Sequence, residues 1–98
     1  MTTLRFLDRM KQLREERNIP QRELAYLLNI DTPMYSRLER GERKVKREQV
    51  IALANFYNDD SLLAQWAADK IYNVLAEEEE PQKVLSIVSE QLVDYGKN

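Results

Sequence analysis

Apolar residues recur every three to four positions along almost the whole chain, with polar residues filling the intervals. Phe6, Leu7, Met10 and Leu13 set the first such period, which predicts a helix over Leu4–Arg17 closed by Asn18-Ile19-Pro20. A short second helix is expected over Gln21–Leu28, with Leu24, Ala25 and Leu28 facing inward. Asn29 suits a left-handed turn, Asp31 an N-cap, and Pro33 the first turn of a third helix, Thr32–Arg40, that Gly41 ends. A fourth begins near Arg47 with Val50, Leu53, Ala54 and Tyr57 on one side, and Asn58-Asp59-Asp60 breaks it. The fifth, Ser61–Glu78, is expected to bury Leu62, Leu63, Trp66, Ala67, Ile71, Val74 and Leu75. Pro81 opens a sixth whose stripe is Val84, Leu85, Val88, Leu92 and Tyr95, and Gly96 stops it. The pattern predicts an all-α fold of about six helices.

Composition narrows the chemistry more than the architecture. With 98 residues, 43% of them apolar, the chain is one domain with a single modest core. It has no cysteine and no histidine, which removes disulfides, thiolate chemistry, Cys/His zinc sites and the commonest general base. The expectation is a non-enzyme with no metal, no cofactor and no small-molecule ligand. The opening Met1-Thr-Thr-Leu-Arg-Phe lacks a basic segment followed by an apolar one, and the longest charge-free run, Val50–Asn58, is too short to cross a bilayer. A cytoplasmic protein without a membrane partner is expected.

The net charge of −2 conceals a division. Residues 1–47 hold 12 basic against 7 acidic residues, a net +5, whereas residues 48–98 hold 3 against 10, a net −7. Such asymmetry predicts a basic face for an anionic partner and an acidic remainder that maintains solubility. Glu77–Glu80 reads as a solvated helix junction, because nothing near it would shift carboxylate pKa values toward catalysis.

The segment Gln21–Gly41 has the spacing of two short helices joined by a tight turn. Helices crossing steeply at close range need a small residue inside the first, and Ala25 stands there. The turn four residues later needs φ > 0, which Asn29 supplies less readily than glycine. Leu24, Leu28, Ile30, Tyr35 and Leu38 are placed to brace the pair. The stretch from Arg37 to Arg47 sets Arg37, Arg40, Arg43, Lys44, Lys46 and Arg47 against only Glu39 and Glu42, a run suited to DNA phosphates. Arg37 lies one turn after Pro33 on the outward side, where it would grip guanine O6 and N7, contact a phosphate, or pair with Glu23.

The Gln-x-x-Leu-Ala opening and the Leu-Glu-Arg-Gly ending resemble the phage-repressor and Cro type of helix-turn-helix, the XRE family, over roughly Phe6–Tyr57. The resemblance implies a repressor-like five-helix DNA-binding domain, here with an extended C-terminal helical segment. It implies that Thr32, Pro33, Ser36 and Arg37 face base edges in the major groove. Gln21, Arg40, Arg43 and Lys44 fall where family members hold phosphates, and Lys46 and Arg47 add charge on that side. It also implies an ion pair between Arg14 and Glu39. Tyr35 stands where Ile or Val is usual, Asn29 where Gly is common, and Lys46 where a capping Ser often sits. The acidic helices after Tyr57 resemble a subgroup similar to restriction-modification controllers.

Residues 1–58 are therefore expected to form the DNA-binding unit and residues 59–98 a helical extension packed into the same domain. The extension either folds back as a hairpin on its own core or meets a second subunit through Leu62, Trp66, Ile71, Val88 and Leu92. A two-fold dimer matches two half-sites about one helical turn apart. The functional expectation is a sequence-specific, double-stranded-DNA-binding transcriptional regulator acting as a homodimer on a palindromic operator. The alternative is an antitoxin or other interaction protein whose acidic C-terminal helices bind a basic partner.

Overall fold

A computed structural model describes residues 5–96. Among them the chain forms six helices and no strand: α1 (Arg5–Glu16), α2 (Gln21–Leu27), α3 (Thr32–Glu39), α4 (Arg47–Tyr57), α5 (Leu62–Ala76) and α6 (Pro81–Tyr95). Each boundary lies within two residues of the periodicity that predicts it. Leu4, the expected first residue of α1, is outside the described residues.

The first four helices end in the same way. Asn18, Asn29, Gly41 and Asn58 take left-handed φ values of 53°, 58°, 79° and 53°. The following residue's N–H then reaches back five positions, at 3.0 Å from Ile19 to the Arg14 carbonyl and 3.0 Å from Ile30 to that of Ala25. The matching bonds run 2.9 Å from Glu42 to Arg37 and 2.9 Å from Asp59 to Ala54. Three of the four positions use asparagine, whose short polar side chain tolerates this region better than other non-glycine residues. The locks reverse the chain sharply and stack five helices around one core.

That core joins Phe6, Met10 and Leu13 of α1 to Leu24 and Ala25 of α2, Tyr35 and Leu38 of α3, and Val50, Leu53 and Tyr57 of α4. Val45 from the α3–α4 loop and Leu62 and Trp66 from α5 complete it. Polar ties close the seams. Arg9 pairs with Asp59 at 3.3 Å, and Arg17 donates to the Tyr57 carbonyl at 3.1 Å while lying over the Tyr57 ring. The Asp69 carboxylate on α5 accepts the Phe6 N–H at 2.9 Å, placing a negative charge at the positive end of α1.

The C-terminal segment departs from expectation. Leu62 is wholly buried and Trp66 only 9% exposed, so both belong to the chain's own core and leave little surface for a second subunit. Their neighbours on the expected stripe, Ile71 and Val74, are 54% and 62% exposed. The physical reason is that the apolar stripe of α5 outlasts the core it packs on. Leu62, Leu63, Trp66 and Ala67 pack on the core from the first half of α5, whereas Ile71 and Val74 stand on its second half, beyond the last core residue. No residue of α6 is buried; α5 and α6 meet at an elbow where Leu75, Pro81 and Val84 are half-buried. The Cα radius of gyration, 15.9 Å, exceeds the ~13 Å of a compact domain this long because this arm projects.

Candidate nucleic-acid interface

The α2–α3 turn is built from its smallest parts. Ala25 is buried at the crossing point, Asn29 turns the chain, and the Asp31 carboxylate accepts the Met34 N–H at 2.8 Å to cap α3. Pro33 occupies the first turn, where a missing N–H costs nothing. Tyr35, Leu38 and Glu39 face inward, so Thr32, Pro33 and Arg37 are exposed and Ser36 is half-buried on the opposite side of α3. The four residues expected at base edges thus share one outer face. Arg37 makes no ion pair with Glu23, or with any other acid, among the described residues.

Behind that face, Arg14 grips Glu39 with both arms of its guanidinium, Nε donating to Oε2 at 2.9 Å and Nη2 to Oε1 at 2.8 Å. Arg14 Nη1 also donates to the Ile19 carbonyl at 3.2 Å, which ties the α1–α2 link into the same knot. Burial alone would push the Glu39 carboxyl up; the Arg14 hydrogen bonds and charge outweigh it and hold the group below its ordinary value. Burial raises the Tyr35 hydroxyl and pushes that of Tyr57 up to about 12, so both stay neutral beneath α3.

The residues expected on phosphates divide by environment. Gln21 is turned toward Glu39, its Nε2 at 3.5 Å from Oε1, and so braces the ion pair. Arg40 donates to Ser36 Oγ and pairs with Glu42, keeping one guanidinium beside the outer face of α3. Arg43, Lys44 and Lys46 are exposed on the loop, and none is ion-paired among the described residues. Arg47 lies over the Trp66 ring, 5.0 Å from its centre.

The loop is held by contacts that sequence reasoning missed. Val45 is buried, and its carbonyl accepts the Trp66 indole N–H at 3.1 Å. Where a capping Ser was absent, Gln49 reaches back to accept the Lys46 N–H at 2.9 Å and caps α4. The Gln three residues after Lys46 was the available signal for that cap; the Trp66 contact left no local one.

Residues 10–58, half of the chain, match the helix-turn-helix family, whose defining pair is the α2–α3 unit just described. The chain belongs to the XRE-type helix-turn-helix family. Its domain makes it a DNA-binding regulator. No curated protein and no solved structure gives a match to the chain. The helix-turn-helix match ends at Asn58, so α5 and α6 lie beyond it. No helix among the described residues is long and apolar enough to cross a membrane.

Proposed function

We propose that this helix-turn-helix protein is a sequence-specific transcriptional regulator of double-stranded DNA that acts as a homodimer on a palindromic operator. The observation that carries the reading is one continuous exposed surface. Thr32, Pro33, Ser36 and Arg37 stand on the outer face of α3, followed by the loop cations Arg43, Lys44 and Lys46, which have no ion pair among the described residues. Side chains on α3 read base edges, and the loop grips the backbone alongside. Residues 1–58 supply this DNA-reading unit, with the start of α5 buried in its core.

Residues 59–98 supply the pairing surface. Ile71 and Val74 are exposed on the second half of α5, and α6 repeats Leu85, Val88, Leu92 and Tyr95 at steps of three and four. That spacing is the seam two helices bury against each other. The exposed face is apolar, and the acidic cluster Glu77–Glu80 is confined to the elbow, which favours a second copy of the chain over a basic partner.

Selection of binding sites from random duplex DNA tests the proposal. The expected result is an inverted repeat with half-site centres about 10 base pairs apart, one turn of the duplex. A flat selection overturns it.

A further inference from the structure

A basic residue beyond the matched segment adjoins the loop. Lys70 on α5 holds its Nζ 3.6 Å from the centre of the Trp66 ring. Lys70 and Asn73 share the walls of one cleft of about 530 Å³ with Arg43 and Lys44, and Trp66 and Val45 line it too. Arg43 and Lys44 also line a neighbouring cleft with Met34 and Leu38 of α3. The loop is thus a ridge with the groove helix on one side and α5 on the other.

Arg43, Lys44 and Lys70 line the cleft with Trp66 and Arg47 lies over the same ring, and none of the four has a paired carboxylate among the described residues. Asp69, which also lines the cleft, accepts the Phe6 N–H and keeps its charge, so three cations stand against one carboxylate there. Like charges held together repel, and an anion seated between them reverses the sign of that interaction. The indole offsets part of the repulsion by holding Lys70 on its face, and its N–H fixes the loop through Val45. Trp66 is therefore a positioning residue for two cationic elements at once.

We propose that Lys70, seated on Trp66, is a phosphate-binding residue that extends the DNA-backbone surface of the helix-turn-helix onto α5, with the Asn73 amide as a further donor. The ligand is a phosphodiester of duplex DNA, and the inference rests on the DNA-binding reading above.

The test compares the full chain with Lys70→Gln and Lys83→Gln on selected and scrambled duplexes between about 50 and 200 mM salt. Lys70 is exposed, so its variant keeps the parent's melting temperature. Lys70→Gln is expected to lower the slope of log affinity against log salt by about 0.9 per subunit on both duplexes, leaving base preference intact. Lys83, paired with Glu80 at 3.8 Å on α6, serves as the control and leaves the slope unchanged. Equal slopes for Lys70→Gln and the parent overturn the proposal, whereas a parent that binds no duplex overturns the DNA-binding reading as well. Fluorescence of Trp66, the only tryptophan, separates the two sources of phosphate. Saturable quenching by inorganic phosphate alone at constant ionic strength, lost in Lys70→Gln while the DNA slope is unchanged, assigns the cleft to a free anion and overturns the DNA assignment.

Discussion

Arg14→Met probes how α3 is held against α1. The substitution keeps the aliphatic length of Arg14 and deletes its charge, so the Glu39 carboxylate, only 4% exposed, is left with a 3.5 Å contact to Gln21 and the neighbouring Tyr35 hydroxyl. Removing one side of a buried ion pair costs about 3 to 5 kcal/mol, because the remaining charge stays desolvated. The 15% exposure of Arg14 lets solvent reach the site and places this case near the lower figure. At about 4 to 8 °C per kcal/mol for a domain of this size, about 3 kcal/mol becomes a fall in Tm of roughly 12 to 24 °C at neutral pH. In the parent, the depressed Glu39 pKa contributes stability that is fully present above the unfolded-state value and is lost as pH falls through the folded-state value. In the variant the opposing effect of burial prevails, Glu39 takes up its proton earlier on acidification, and the penalty shrinks. Melting curves of both proteins from about pH 7 to about pH 4 should therefore converge toward the acid end. A fall of less than about 4 °C, or a deficit that stays constant with pH, would refute the reasoning.

Three further outcomes are expected. Asn29→Gly should raise stability by up to about 1 kcal/mol and Asn29→Ala should lower it by about 1 to 2, since φ is 58° there; denaturant melts decide. Arg37→Ala should cost about 1 to 3 kcal/mol per half-site and relax one base preference in each, measured by competition between selected and scrambled duplexes. Leu92→Asp, at a position 63% exposed, should halve the mass seen by light scattering while the melting temperature of the core holds; an unchanged dimer mass would remove α6 from the interface.

The helices were legible because their breakers are few and unambiguous. Pro20, Asp31, Pro33, Asn58 and Pro81 each stand at a helix end or first turn, where a local rule governs and distant contacts add little. The Arg14–Glu39 pairing was legible through family resemblance alone, since 25 residues separate the partners and no periodicity links them. For Trp66 the sequence predicts burial and leaves its cover open, for a related reason. An apolar stripe shows that a residue is covered and does not show by what, and the stripe of α5 runs past the end of the core. Only the meeting of α5 with the Val45 carbonyl decides which covering Trp66 receives. The hydrogen bond from Arg40 to Ser36 joins the expected phosphate and base contacts into one polar unit, a link that spacing alone does not give.

The bare surface of α6 has a consequence for how the protein responds to its own abundance. A helix of 15 residues without a buried face is marginal in water, so its order depends on whatever covers it. When that cover is another copy, folding of the arm and assembly become one bimolecular event, and helix content measured by circular dichroism falls on dilution. Occupancy of a two-part operator then climbs as the square of chain concentration at low expression, turning a gradual increase in synthesis into a steep response on DNA.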